Sequence, residues 1–318
     1  MAREHYYGGQ AVLEGVMMRG RDLWAVAVRQ PDGDIHLESH DIKSIAKRYP
    51  ILAKPGFRGI IALGQALAIG VKALTISANH SVEEKEKLTP RQMALSMALA
   101  LVLFVGLFIV FPAFVSNFAK DQVPSGVLLN VGEGLFRVLL FLGYLWLIGR
   151  MKEIRRVFQY HGAEHKTIAA YEHDDSWGSP DSVDRYSTLH VRCGTNFLLI
   201  VMILTIFVFA VFGTPSLGWR IGSRILAIPL IAGLAYEALR LGARYSDSRV
   251  MRTLMAPGLW LQKITTQPPS RDQIEVAIAS FGEVLRREGK AGPGEPAESP
   301  APPVEGAAVS TEGSDEPR

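Results

Sequence analysis

Hydrophobic positions along the chain gather into long uninterrupted runs separated by polar segments. The run from 92 to 116, "QMALSMALALVLFVGLFIVFPAFVS", carries no charge and exceeds the about 20 helical residues that cross a bilayer core of roughly 30 Å. It predicts a membrane-spanning helix. Three further runs, at 127–148, 196–212 and 221–241, predict spans of the same kind, the first and last of them carrying charges. Residues 59–74, "GIIALGQALAIGVKAL", are apolar but short and glycine-rich. They admit three readings: a helix lying in the interface, a segment that re-enters the membrane, or an ordinary buried helix.

Other periodicities flank the spans. "LWAVAVRQPDGDIHLESHDI" places two alternating runs around Pro31-Asp32-Gly33-Asp34, which predicts a small β-hairpin because the Asp-Gly pair tolerates positive φ. "SRDQIEVAIASFGEVLRREG" offers Ser270 as an N-cap and then Ile274, Ala277, Ile278, Phe281 and Leu285 at helical spacing, the signature of an amphipathic helix. From Lys290 onward Pro, Gly, Glu, Ala and Ser dominate, and the loss of any apolar period predicts a disordered tail. The expected organisation is therefore mainly α: a polytopic helical membrane protein with about four transmembrane helices. It divides into an N-terminal region with the hairpin (1–56), an interfacial or re-entrant helix region (57–90), a transmembrane domain (91–252) with a polar loop at 149–195, an amphipathic helix region (253–289) and the tail (290–318).

Composition adds two constraints. Hydrophobic residues make up 48% of the 318 positions while 20% remain charged, which suits a membrane protein with sizeable soluble parts. A formal charge of +3, with dispersed basic residues and no basic-aromatic blocks, excludes nucleic acid as a partner. The single cysteine, Cys193, rules out an intrachain disulfide framework. The N-terminal residues lack the apolar run of a secretory signal peptide, so they are expected to start and stay in the cytoplasm.

Loop charge supplies an orientation. Arg150, Lys152, Arg155, Arg156, Lys166, Arg185 and Arg192 fall between the second and third runs, whereas the loops opposite offer only Lys120 and Arg220. Because Lys and Arg are retained on the inner side, both termini are expected to be cytoplasmic in a multi-pass protein of the plasma membrane.

The polar loop carries the candidate chemistry. In "EIRRVFQYHGAEHKTIAAYE", residues 153–172, helical spacing puts Ile154, Val157, Phe158, His161, His165 and Ile168 on one face. Two neutral imidazoles one turn apart can bind one divalent ion, zinc or a similar metal. Glu164 lies where a general base would act. The H-x-x-E-H order is the inverted zincin pattern. Two histidines leave a catalytic metal one ligand short. Glu237, about one turn from the end of the last run, and His190 in "LHVRCGTNF" are candidates; Cys193 could ligate as thiolate, and Glu172 and His173 are further options. The alternative reading makes the histidines core residues bonded to carbonyls, Glu237 a partner of Arg240, and Cys193 a small buried side chain. Glu133 and Arg137 have the i, i+4 polarity of a helical ion pair.

Five blocks, "YYGGQAVLEGVMMRG" at 6–20, "FRGIIALGQALAIGVKALTISAN" at 57–79, "QYHGAEHKTIAAYE" at 159–172, "LHVRCGTNF" at 189–197 and "PGLWLQKITTQPPSRDQIEVAIAS" at 257–280, give the chain a likeness that spans nearly all of it except the tail. It resembles the YqhQ family, bacterial membrane proteins of unknown function described as predicted metal-dependent enzymes. The resemblance implies a metal-dependent activity and draws attention to Gly8, Gly9, Gln10, Glu14 and Arg19. The glycines suit a tight turn, and Glu14 and Arg19 either reach a site or pair with one another.

Two function classes follow. One is a membrane-embedded metal-dependent hydrolase with His161 and His165 as ligands, Glu164 as base, Glu237 or His190 completing the shell, and Arg192 or Asn196 orienting substrate. That substrate would be a lipid headgroup, a membrane-bound peptide or an isoprenoid-linked compound among the membrane lipids. The other is a non-enzymatic scaffold or regulator with a structural ion or none. A transporter is disfavoured by the lack of an inverted repeat. Imidazole and carboxylate suit zinc, iron and manganese alike.

Overall fold

The computed structural model describes residues 7–43, 49–54, 56–83, 87–123, 125–173, 177–210, 216–245 and 248–290. Four antiparallel strands come first: β1 (Gly8–Val12), β2 (Gly15–Arg19), β3 (Leu23–Arg29) and β4 (Ile35–Asp41), in sheet order β1-β2-β3-β4. The hairpin expected around Pro31–Asp34 is β3–β4, with Arg29 opposite Ile35 and Gly33 at φ 96°. A second hairpin, β1–β2, turns at Leu13–Glu14, where Glu14 takes φ 50°. Gly8 and Gly9 therefore lie in a strand, not in the tight turn that the sequence suggested.

Among the described residues eight long helices follow, besides short helical turns at Pro50–Ala53 and Pro180–Val183: α1 (Phe57–His80), α2 (Pro90–Phe118), α3 (Gly126–Ile148), α4 (Lys152–His173), α5 (Gly194–Ala210), α6 (Leu217–Arg244), α7 (Arg249–Thr265) and α8 (Arg271–Arg287). Their starts are written in the sequence. Thr89 and Gln92 form a reciprocal capping box ahead of Pro90, Ser270 and Gln273 form another, and Ser125 and Ser216 each accept a first-turn N–H. Each satisfies donors that a helix end otherwise leaves open.

Both faces of the sheet are covered. Alternate residues Val16, Met18, Ala25 and Ala27 join Tyr160, Ala163 and Ile168 of α4 and Ile274, Ala277, Phe281 and Leu285 of α8 in one core. Val12, Met17, Trp24, Val26 and Val28 pack on the other face against Ile69 and Ala73 of α1. A strand buried on both sides cannot alternate with polar residues, and "LWAVAVR" does not.

α1, α2, α3 and α6 are long and apolar enough to cross a membrane. Their surfaces present large apolar side chains outward, among them Leu95, Leu103, Leu139, Leu147 and Leu226, a surface that suits lipid and not water. The fold is that of a helical membrane protein. Membership of the set differs from the expectation: the helix over 57–80 qualifies, whereas the run expected at 196–212 forms α5, 17 residues long and ending at Ala210. Except for Lys290, the tail expected to be disordered lies outside the described residues.

Inside α2 the ladder widens to a π turn at Gly106–Val110, just ahead of Pro112. Proline has no N–H to give the carbonyl four residues earlier. That carbonyl, Phe108, accepts Arg137 Nε at 2.8 Å instead.

Candidate metal centre

α4 is amphipathic by sequence but buried almost all round from Tyr160 to Ile168, because β1, α8 and two connecting segments close over it. Gly162 makes the closest approach possible: a Cβ there would sit 2.1 Å from the Gln267 carbonyl oxygen. The chain after α7 runs alongside α4, Gln267 N–H bonding to the Phe158 carbonyl at 2.9 Å. This brings the Thr265 carbonyl to His161 Nδ1 at 2.8 Å. The segment before α5 performs the same service for the second ring, with Thr188 carbonyl 2.5 Å from His165 Nδ1. Gln262 holds that segment by accepting from the His190 N–H and donating to the His190 carbonyl, each at 2.8 Å, while Asn196 donates to the Val191 carbonyl at 2.7 Å.

A carbonyl can only accept, so each imidazole must carry its proton on Nδ1 to bond there. Both Nε2 atoms are then lone-pair donors. His161 Nε2 lies 3.3 Å from Cys193 Sγ, and the ligand atoms of His161, His165 and Cys193 all fall within 4.8 Å of one another. Tying the distal ring nitrogen to a backbone carbonyl is how metal-binding histidines are usually oriented. Burial lowers the pKa of His165, with the thiol contact and the Thr188 carbonyl opposing, which favours the neutral ring that a ligand requires. Cys193 sits just ahead of α5, where the Thr195 N–H points at its sulfur at 3.4 Å.

Glu164 is buried beside the group. Gly9 of β1 packs on it so tightly that a Cβ there would be 2.9 Å from the carboxyl carbon and 2.6 Å from the Met17 carbonyl oxygen. That contact, and not a turn, is what the glycine serves. Burial pushes the Glu164 carboxyl up to about 7, against the lowering influence of His161 and the Gly9 N–H. Its Oε2 has no hydrogen-bond partner among the described residues. A cavity of about 450 Å³, lined by Gly9, Gln10, Arg192 and Thr195 as well as the two histidines, Glu164 and Cys193, opens over the group.

The remaining sequence candidates divide. His190 lies nearby, its ring centroid 5.7 Å from that of His165, but its Nε2 is turned to Glu172 at 3.6 Å and Arg192 also bonds Glu172. Although burial would raise the pKa of Glu172, His190 and Arg192 outweigh it and hold the carboxyl below its ordinary value. Asn196 supports the loop. His173 is elsewhere, bonded to the Ala169 carbonyl. Glu237 is not brought to the group: it forms a two-pronged pair with Arg58 at the start of α1, where Gly59 and Gly233 let the helices touch. Glu14 pairs with Arg156 and lies 3.3 Å from the Tyr160 hydroxyl, while Arg19 bonds Gln65 at 2.6 Å, so Glu14 and Arg19 do not pair. Sequence reasoning missed Thr188 and Thr265, which act through backbone carbonyls and leave no side-chain signal.

A family model described as a protein of unknown function (DUF1385) matches residues 54–287. The uncharacterised protein YqhQ of Bacillus subtilis (strain 168) is 37% identical over 304 residues, covering 89% of this chain and 93% of that protein. No solved structure matches the chain. The family match takes in both histidines, the glutamate and the cysteine, and the likeness to YqhQ extends over nearly the whole chain; the chain belongs to this family of YqhQ-like proteins.

Proposed function

We propose that the protein is a membrane-embedded metal-dependent hydrolase whose ion is held by Nε2 of His161, Nε2 of His165 and Sγ of Cys193, with Glu164 as general base. The observation that carries this reading is the convergence of three lone-pair donors within 4.8 Å, beneath a cavity and beside a buried carboxyl with a free oxygen. Three protein ligands is the number a catalytic site uses, since a structural one closes with four. The thiolate tilts the choice toward zinc or iron and away from manganese. Such an ion supplies Lewis acidity toward a carbonyl or phosphoryl oxygen. Glu164, with its carboxyl near 7, can take a proton at Oε2 and return it to a leaving group at neutral pH. Arg192, held by Glu172, presents a fixed positive charge at the cavity wall.

The cavity belongs at the cytoplasmic membrane surface. The sheet packs against both α4 and α8, so the chain must return to one side between β4 and α4 and again between α4 and α8. α2 with α3, and α5 with α6, supply those two returns. α1 is left as a helix that does not cross: Ile69 and Ala73 in its second half lie in the core under the sheet, and His80 stacks on His36. α5, at 17 residues, spans about 25 Å, close to the thickness of the hydrocarbon core. The excess of Lys and Arg around α4 and α7 supports reading that shared side as the inner one. Substrate would be a lipid headgroup, an isoprenoid-linked compound or a membrane-bound peptide presented at that face.

Purification in detergent without chelators, followed by elemental mass spectrometry, tests the assignment. The expected result is about one equivalent of a transition metal, lost in a monodisperse His161→Ala, His165→Ala variant and strongly reduced in Cys193→Ala. A wild-type protein that takes up neither zinc, iron nor manganese on reconstitution would overturn it and favour the scaffold reading.

A further inference from the structure

A second group of charges is buried at the far end of the helical domain. Glu133, two turns into α3, accepts Arg137 Nη2 on Oε1 at 2.8 Å, and on Oε2 it accepts Arg220 Nη2 at 2.5 Å and Arg224 Nη2 at 2.8 Å. Ser116 of α2 donates to the same Oε2 at 2.8 Å. Sequence reasoning foresaw the pair of Glu133 with Arg137 but counted Arg220 as a loop residue; α6 starts earlier, at Leu217, and carries it inward.

The arithmetic of charge does not close. Three guanidinium groups face one carboxylate, an excess of two positive charges, in side chains that are almost wholly buried: residue exposure is 2% at Arg220, 5% at Arg224 and 3% at Glu133. Four N–H-bearing nitrogens, Nε and Nη1 of Arg220 and of Arg224, have no partner among the described residues. Arg137 is anchored separately, on the Phe108 carbonyl freed by Pro112. A cavity of about 370 Å³ adjoins Ser116 and Glu133, which form its polar wall, with Pro112, Leu128 and Phe136 among its apolar lining; the three arginines meet Glu133 but do not themselves line it.

An ion pair that served stability alone would match one arginine to one glutamate; surplus buried cations in a spanning domain mark a site for something negative. We infer that Arg220 and Arg224, with Arg137 behind them, form a binding site for a phosphate-class oxyanion. Guanidinium N–H groups match tetrahedral oxyanions in geometry as well as charge. The apolar lining of the adjoining cavity, which touches the cluster through Ser116 and Glu133, suits the acyl chains of an anionic phospholipid. About 22 Å of helix α3 lies between Glu133 and the helix end at Ile148, and the two cavities share no lining residue, so it is a different site and does not depend on the metal reading.

The test uses the intact protein in nanodiscs of phosphatidylcholine with and without phosphatidylglycerol, read by native mass spectrometry for retained lipid, and in detergent with sodium phosphate, read by thermal unfolding. The expected result is one phosphatidylglycerol retained in preference to phosphatidylcholine. If orthophosphate also raises the unfolding temperature and displaces the lipid, the site takes the oxyanion from either source; if orthophosphate has no effect, it is a headgroup site. Arg224→Gln should weaken retention about tenfold, the worth of one hydrogen bond to a charged group. Glu133→Gln removes the competing carboxylate and should tighten it. Equal retention of both lipids with no response to phosphate would overturn the inference, as would preferential retention unchanged in both variants.

Discussion

Gly162→Ala separates the geometry of the proposed metal centre from its ligands, because it alters no donor atom. The new Cβ would lie 2.1 Å from the Gln267 carbonyl oxygen. Ordinary contact needs about 1 Å more, and a backbone carbonyl cannot swing aside as a side chain could. The segment after α7 must therefore retreat, taking with it the Thr265 carbonyl that orients His161 from 2.8 Å. Overpacking of this kind costs about 1–3 kcal/mol, and the helical preference of alanine over glycine returns up to about 1 kcal/mol. The net loss of stability is thus modest, on the order of 1 kcal/mol. The effect on the ion is larger: misorienting a ligand through its outer partner weakens affinity about 10–100-fold. Competition against a chromophoric chelator gives the affinity, and thermal unfolding of the metal-free protein gives the stability. Gly143→Ala, where a Cβ meets nothing within 4 Å, is the control and should leave metal affinity unchanged. A Gly162→Ala protein that binds zinc as tightly as wild type would refute the argument that the Thr265 carbonyl holds the His161 ring for a metal.

Three further outcomes follow from the same contacts. Glu164→Gln should retain the ion and lose catalysis by about 10²–10⁴-fold once a substrate is found, as expected for a general base; loss of the metal instead would make Glu164 a ligand. Glu237→Gln should leave metal content unchanged, since its carboxylate pairs with Arg58, and a drop in content would return it to the list of ligands. Burial would raise the Glu288 carboxyl, but the Arg21 N–H, the Tyr7 hydroxyl and Lys290 together hold it below its ordinary value. A depressed folded-state pKa contributes stability that is present above the unfolded value and disappears as pH falls through the folded one. The difference in unfolding temperature between wild type and Glu288→Gln should therefore be largest near neutral pH and vanish in acid; a difference that grows in acid would contradict the assignment.

Much of the helical architecture was legible because it rests on period and length. Six of the helices, α2, α3, α4, α5, α6 and α8, were readable from apolar runs, caps and spacing, and the H-x-x-E-H order singled out α4 before any contact was known. What escaped depends on contacts distant in sequence. β1, "GGQAV", has almost no β-branched content, and its place is set by Glu164 pressing on Gly9. Depth along the last run made Glu237 look like a ligand, but α1 brings Arg58 to meet it. Cys193 could only be weighed as one of several, because the step that selects it is the folding of the 188–193 segment over α4, fastened by Gln262 and Asn196. Neither anchoring carbonyl has a sequence signature at all.

The pairing of the first strands with the last helix governs when the protein becomes complete. β2 and β3 leave the ribosome first, yet the core that covers them needs Phe281, Val284 and Leu285 of α8, and the Tyr7 hydroxyl reaches Glu288 at 2.8 Å. Contacts that close such long loops form late. The intervening helices must be threaded into lipid before the sheet acquires its second layer, and Gly9 can settle on Glu164 only when that layer arrives. An unfinished chain therefore lacks this layer: the first strands and the last described helix close on one another as a latch, and the core between them is completed only after α8 has been made.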